Sequence, residues 1–161
     1  LNLNINRIKK TINTFKGLKY RQQILLKKNN LTIINDSKST SFSSSRSILK
    51  RNSNIFWILG GIPKKGDKFI LSKKYFKNIR AYIYGKNKIF FIKALKGKIK
   101  YENFNNLKIA LKKVIKTIKK RKSDNQTILF SPCAASFDSF KNFEDRGLYF
   151  NKLIKDYLNG I

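Results

Sequence analysis

Residues 55–59 form an unbroken apolar run that stops at Gly60-Gly61, the pattern of a strand covered on both faces. Further strands are expected over residues 79–84, ending at Gly85, and 127–130, ending at Ser131-Pro132. Near the start, residues 22–28 and 31–35 are two apolar-containing runs around Asn29-Asn30, a pair that tolerates the positive φ angles of a tight turn, so an antiparallel hairpin is expected there. Helical spacing predicts helices over 69–77 and 104–121. In the second, Phe104, Leu107, Leu111, Val114, Ile115 and Ile118 share one face, and Lys108, Lys112, Lys113, Lys116 and Lys119 lie largely off it. That is the spacing of a surface helix packed on a sheet, favoured here over a membrane-lying or calmodulin-type helix. A last helix is expected over 140–158, with Phe143, Phe150, Leu153, Ile154 and Tyr157 turned inward and Gly147 weakening its middle by about 1 kcal/mol relative to alanine.

Residues 3–14 read as the tail of a helix, and Phe15, Gly17 and Leu18 mark a break. The expected organisation is therefore a linker or tail of a preceding domain over 1–14 and one domain over 15–161. The serine-rich stretch 37–47 has a linker's composition, but it sits between a strand and a short apolar-spaced segment, where hydroxyls accept hydrogen bonds from the free N–H groups of a helix start. Alternating strands and helices predict an α/β fold: an open, mainly parallel, Rossmann-like sheet with helices on both faces and the antiparallel hairpin near the N-terminus. In such sheets ligands gather at the carboxyl ends of the strands. Segments 36–41, 60–65 and 131–138 each follow an expected strand, so one crevice is expected to collect all three.

Composition narrows the chemistry. A chain of 161 residues that is 41% hydrophobic can bury one core and is too apolar for a disordered basic tail. Its net charge of +29 raises nucleic acid as a partner. The thirty lysines, however, are scattered through every segment beside many Asn and Ile. We read them as a solvated basic surface with weak, salt-sensitive affinity for polyanions and no specific nucleic-acid partner. Cys133 is the single cysteine and histidine is absent, which excludes a disulfide within the chain, a Cys/His zinc site and a His-based triad. No apolar run reaches the roughly 18–20 residues that span a bilayer, and no signal-peptide core is visible. No membrane association, a cytoplasmic location and a monomer are the expectations. The chain opens at Leu1 and contains no methionine, as a fragment of a longer reading frame would.

Gly61 and Gly66 have the separation of a phosphate-binding loop, but Asp67-Lys68 stands where Lys-Ser/Thr is required. A carboxylate at that point opposes phosphate, and the loop reading fails. A glycine turn that lets the chain leave a buried strand explains Gly60-Gly61 without a ligand.

Taken together the post-strand segments are more specific. Phe15-Lys16-Gly17-Leu18-Lys19-Tyr20-Arg21 resembles F-x-G-L-P-H-R; Asn35-Asp36-Ser37-Lys38-Ser39-Thr40 resembles N-D-S-K-A-T; Gly60-Gly61-Ile62-Pro63-Lys64 resembles G-G-x-x-K. Residues 131–147, from Ser131-Pro132-Cys133-Ala134-Ala135-Ser136-Phe137-Asp138 through Asn142-Phe143-Glu144 to Arg146-Gly147, are similar to S-P-A-C-A-S-F-D-Q-F-x-N-F-E-x-R-G. These are motifs of the C-terminal domain of the Mur ligase family, in particular of its D-glutamate-adding members. Lys19 and Tyr20 in place of Pro-His, Ser41 in place of a common Asn, and the reversed order Cys133-Ala134 are departures, and none removes a charged ligand. Asp36-Ser37-Lys38 also differs from the D-Y-A-H or D-x-A-H-N-P segment of sister ligases and of folylpolyglutamate synthase.

The resemblance implies part of an ATP-dependent ligase for peptidoglycan precursor synthesis, which joins D-glutamate to UDP-N-acetylmuramoyl-L-alanine. It implies that Thr40 and Lys64 hold one glutamate carboxylate, and that Ser136 with backbone donors near Phe137 and Phe143 holds the other. Arg21 would reach the terminal phosphates of ATP, Asp36 the nucleoside, and Lys38 is a further ATP-binding candidate. The phosphate loop, the ligands of Mg2+ and a carbamylated lysine belong in that family to a central domain that no segment here resembles. No catalytic residue and no metal ligand is therefore expected within these 161 residues, and the isolated chain is expected to be inactive. Two other readings stand beside this one: a basic nucleic-acid-binding module, and a degenerate, non-catalytic domain of the same family.

Overall fold

The computed structural model describes residues 4–14, 17–121 and 125–159. Its elements, in chain order, are α1 (Ile5–Thr14), β1 (Gln23–Lys28), β2 (Leu31–Asn35), α2 (Phe42–Arg51), β3 (Ile55–Gly60), a 3-10 helix (Lys73–Asn78) and β4 (Ile79–Tyr84). They continue with α3 (Lys88–Leu95), β5 (Lys100–Phe104), α4 (Leu107–Lys119), β6 (Gln126–Phe130) and α5 (Phe143–Asn159). The strands form one sheet in the order β1-β2-β6-β3-β4-β5. Only the β1–β2 pair is antiparallel. This is the open, mainly parallel α/β sheet expected, with its hairpin turning at Asn29, whose φ is 50°.

Alternation along the buried strands sorts the core into two layers, because successive side chains of a strand point to opposite faces. Ile55, Trp57 and Leu59 of β3 join Phe42, Ile48 and Leu49 of α2 and Phe91 and Leu95 of α3 on one face. Phe56 and Ile58 join Leu107, Leu111 and Val114 of α4 and Phe150, Leu153 and Ile154 of α5 on the other. All six residues of β3 are buried, as its unbroken apolar run requires. Helix α1 buries no residue at all.

Several boundaries differ from the sequence reading, each for a local reason. No α-helix covers 69–77: the Phe69 ring packs within 5.5 Å of Phe42 and 6.0 Å of Trp57, which draws that segment into the core, and only the six-residue 3-10 turn follows. Helix α4 starts at Leu107, where the Asn106 side chain accepts the Ile109 N–H at 3.0 Å, and Phe104 instead ends β5. Helix α5 starts at Phe143, because the Phe140 N–H turns back to the Ser136 carbonyl at 3.0 Å and the Asn142 side chain accepts from Asp145 N–H at 2.7 Å. The serine stretch does open a helix: Ser41 is the N-cap of α2 in a reciprocal capping box with Ser44. Elements α3 and β5 are additions. Phe15-Lys16 of the first motif, residue 3 of the expected helix tail and residues 160–161 of the expected domain lie outside the described residues.

Candidate functional site

Three loops leave the carboxyl ends of β2, β3 and β6, and backbone hydrogen bonds tie them together. Ile62 and Ala135 exchange N–H and carbonyl in both directions, at 3.0 and 2.9 Å. The Ala134 N–H donates to the Ser39 carbonyl at 3.3 Å. Lys64 is two residues from the first contact, Ser136 is next to it, and Thr40 is next to the second. The convergence expected of Thr40, Lys64 and Ser136 is thus present at the level of the backbone. Thr40 and Lys64 are exposed and Ser136 is buried. Phe137 is 71% exposed beside them.

Close packing at this edge explains the paired glycines. A Cβ on Gly60 would lie 2.2 Å from the Tyr84 carbonyl oxygen, and one on Gly61 would lie 2.4 Å from that of Ala135. Both have φ angles that L side chains rarely adopt, 152° and 126°. The glycines therefore do more than turn the chain: they let the chain leaving β3 pass against the end of β4 and the loop after β6. The Asn87 side chain, at the start of α3, donates to the Gly61 carbonyl at 3.2 Å and adds a fourth loop to the assembly.

Arg146, on the first turn of α5, is the buried centre of the arrangement, with 1% of its surface exposed. Its Nη2 donates to the Ser37 carbonyl at 2.7 Å and to the Ala134 carbonyl at 3.0 Å, and its Nε donates to Ser37 Oγ at 3.1 Å. Its Nη1 lies 3.2 Å from where a Gly61 Cβ would stand, so one guanidinium borders all three loops. Burial lowers its pKa and raises that of nearby Asp138, while Tyr84 is pushed up to about 12 by burial. The Tyr84 hydroxyl and the Arg146 guanidinium interact with each other, and the Asp138 carboxylate acts on both through its charge.

A second network runs inward from Asp36, which is 6% exposed. Its Oδ1 accepts from the Gln22 N–H at 3.0 Å and its Oδ2 from Ser131 Oγ at 2.8 Å. Ser131 is bonded to Ser45 of α2, and Ser45 Oγ is 2.9 Å from Cys133 Sγ and from Ser39 Oγ. Burial pushes the Cys133 thiol up to about 12, so the reversed Cys133-Ala134 order places a protonated, hydrogen-bonded thiol in the core. Burial also raises the Asp36 carboxyl above its ordinary 3.8, against the lowering influence of Ser131, Gln22 and Arg21.

Outside this network lies a cleft of about 400 Å³ lined by Arg21, Gln22, Asp36, Lys38, Ser39 and Ser44. Arg21 is exposed. The Lys38 ammonium sits 3.6 Å over the Phe143 ring, and Ser37 Oγ donates to the Phe143 carbonyl at 2.8 Å. These contacts join the start of α5 to the loop after β2. Asp67, noted above as incompatible with a phosphate loop, accepts the Phe42 N–H at 2.7 Å and covers the first turn of α2.

Tyr20, where the motif has His, is absorbed by the fold. Its ring occupies the space above Gly147, whose Cβ would fall 2.2 Å from a ring carbon, and its carbonyl accepts the Lys38 N–H at 3.0 Å. Gly147 is thus a point of close approach, which its low helix propensity alone does not convey. Arg146, Ser45, Ser131 and Asn35 were given no individual role by the sequence reading. Asn35 donates to the Gly147 carbonyl at 2.9 Å and to Asn151 Oδ1 at 2.7 Å. Only the position of Arg146 next to Gly147 in a long motif hinted at its part.

Among the described residues no cluster of His, Cys, Asp or Glu is able to hold a metal ion, and no helix is long and apolar enough to cross a membrane.

No family model matches the chain. Individual proteins do. A protein of Rickettsia prowazekii named UDP-N-acetylmuramoylalanine–D-glutamate ligase is 36% identical over 156 residues, which cover 96% of this chain and 35% of that protein. Proteins of the same name from a Wolbachia of Brugia malayi and from Francisella tularensis are each 36% identical, over 89% and 96% of this chain and 29% and 37% of theirs. The chain spans about a third of the length of the curated relatives it matches. Along nearly its whole length, then, this chain is a homologue of one part of the UDP-N-acetylmuramoylalanine–D-glutamate ligases.

Proposed function

We propose that residues 15–161 are the C-terminal, amino-acid-binding domain of an ATP-dependent ligase that adds D-glutamate to UDP-N-acetylmuramoyl-L-alanine, and that residues 1–14 join it to a central domain. The observation that carries this reading is the direct bonding of the loops after β2, β3 and β6 through Ile62–Ala135 and Ser39–Ala134. It gathers Thr40, Lys64 and Ser136 at one edge of the sheet. Helix α1, which buries nothing against the rest of the fold, suits a connecting role.

In this reading Thr40 and Lys64 hold one carboxylate of D-glutamate. Ser136 and backbone N–H groups near Phe137 and at the Phe143 end of α5 hold the other, a helix start being a ready anion site. A dicarboxylate held at both ends has its amine fixed in direction. Orientation of this kind is the domain's main contribution to attack on an activated carboxyl group. ATP supplies the phosphoryl group that activates the muramoyl-alanine carboxylate as an acyl phosphate, and the amine displaces phosphate from it.

The cleft beside Asp36 fits the nucleotide in part. Arg21 and Lys38 bring positive charge for the terminal phosphates. Asp36 already accepts one hydrogen bond at each oxygen, so a nucleoside hydroxyl would use a remaining lone pair. The described residues do not fit a Mg2+ site of their own. That ion and the phosphate loop belong to the central domain in this reading, and the ligation takes place in the cytoplasm with both domains present.

The test joins this chain to the ATP-binding portion of one of its relatives and measures ligation. Lys64→Ala is expected to raise KM for D-glutamate by roughly ten- to two-hundredfold, the loss of about 1.5–3 kcal/mol from a charge-assisted hydrogen bond. Unchanged KM and kcat would remove Lys64 from the site.

A further inference from the structure

In a chain with 37 Lys and Arg against eight Asp and Glu, a carboxylate at the carboxyl edge of the sheet calls for a physical reason. Most of those present have one within the fold. Asp36 accepts a hydrogen bond at each oxygen, and Asp67 accepts the Phe42 N–H at the start of α2. Glu144 and Asp145 stand on the first turn of α5, where negative charge faces the free N–H groups of the helix. Asp138 differs. It is half-buried in the loop after β6, two residues beyond Ser136, and its inner oxygen Oδ2 accepts no hydrogen bond. That oxygen borders the loops after β3 and β4: a Cβ on Gly85 would stand 3.4 Å from it and 4.0 Å from the Gly61 nitrogen. Glycine at 85, with φ of 91°, keeps this side of the carboxylate clear of a side chain. The charges of Arg146 and Lys86 favour the ionised form of Asp138 while burial opposes it.

A site that grips two carboxylates gains nothing from a third. Negative charge two residues from Ser136 repels a dicarboxylate and weakens its binding, unless the ligand brings a positive charge to meet it. An amino acid brings one. Thr40, Lys64, Ser136 and the backbone donors near Phe137 and Phe143 account for both carboxylates of the ligand in the reading above, and they leave its ammonium group without a partner. The turn 136–140 holds Ser136 and Asp138 on one short curve, because the Ser139 and Phe140 N–H groups bond back to the Ser136 carbonyl at 3.1 and 3.0 Å. We propose that the Asp138 carboxylate receives the ammonium group of the amino-acid substrate and so selects an amino dicarboxylate over a plain dicarboxylate. The inference rests on the D-glutamate reading and adds to it the group that recognises the amine. Arg146 enters as the support of that carboxylate, with its Nη2 and Nε already committed to Ser37 and Ala134. Gripped at three charged points, the ligand has its nitrogen fixed in position as well as in direction.

The experiment titrates the 161-residue chain with D-glutamate and with D-2-hydroxyglutarate, which carries a hydroxyl in place of the ammonium, and reads both affinities from amide chemical shifts. The parent is expected to favour D-glutamate. Asp138→Asn keeps the size of the side chain and removes its charge, and is expected to weaken D-glutamate by at least about tenfold, the loss of one charge-assisted hydrogen bond. Its affinity for D-2-hydroxyglutarate is expected to stay within about twofold of the parent or to rise, because only the repulsion of a carboxylate has gone. Lys64→Ala, which touches a carboxylate common to both ligands, is expected to weaken both by a similar factor. Equal weakening of the two ligands by Asp138→Asn would reduce Asp138 to a support of the loop and overturn the proposal, as would an unchanged affinity for D-glutamate. Failure of the parent to bind D-glutamate would overturn the glutamate reading and this inference with it, an outcome distinct from the other two.

Discussion

Arg146 holds Ser37 twice, through its carbonyl at 2.7 Å and through its hydroxyl at 3.1 Å, across 109 positions of sequence. With the further bond to the Ala134 carbonyl, the guanidinium fixes the loop after β2 against the loop after β6. Arg146→Ala would leave two buried carbonyls without their donor. At roughly 1–3 kcal/mol for each orphaned group the chain is expected to lose about 2–6 kcal/mol of stability. Arg146→Lys, with a single ammonium in place of the planar fork, is expected to recover only part of it. Urea unfolding monitored by circular dichroism measures both, and a loss below about 1 kcal/mol for Arg146→Ala would show that the loops are held by other means.

Gly147 and Tyr20 form a pair whose coupling changes the sign of a mutation. In the native chain Gly147→Ala drives a methyl group into the Tyr20 ring and is expected to cost about 1–3 kcal/mol. With Tyr20→Ala already present, the same substitution gains the helix propensity of alanine and is expected to stabilise by up to about 1 kcal/mol. A double-mutant cycle by thermal unfolding reads the difference, and additive effects would contradict the contact.

Cys133 is expected to be chemically quiet. Moving its thiol from the ordinary 9.0 to about 12 lowers the thiolate fraction at pH 8 by about a thousandfold, and burial blocks the reagent as well. Alkylation by iodoacetamide should therefore follow unfolding, rising with urea along the same curve as circular dichroism. Rapid labelling of the folded chain would contradict the buried Ser39–Ser45–Cys133 network.

What the sequence disclosed depended on how far each signal was local. Strands β3 and β6 are buried on both faces, so their apolar runs are nearly continuous, and the loops that follow them could be placed at one edge by topology alone. Element β5 is an edge strand of only five residues, and its partner helix α3 has eight with apolar residues on several sides. Neither offers a clean period, and Phe104 fitted the register of the helix that follows it. Phe69 shows the opposite effect, a helix-spaced residue withdrawn by Phe42 and Trp57, two aromatic neighbours from earlier elements of the chain. At the candidate site, the distinctive motifs nominate Thr40, Lys64 and Ser136, and the backbone of the loops that carry them does meet. The burial of Arg146 was not readable, since one arginine among 37 basic residues looks like surface until the carbonyls of Ser37 and Ala134 are seen to surround it.

The central claim is that Thr40, Lys64 and Ser136 act on one small dicarboxylate. The most direct measurement is a titration of the isotope-labelled chain with D-glutamate, followed by amide chemical shifts in two-dimensional NMR. The account predicts that the amides of all three residues shift together, saturate with a single dissociation constant, and cease to respond in Lys64→Ala. Shifts confined to lysines elsewhere, or a response at Thr40 and Ser136 that survives Lys64→Ala unchanged, would contradict it.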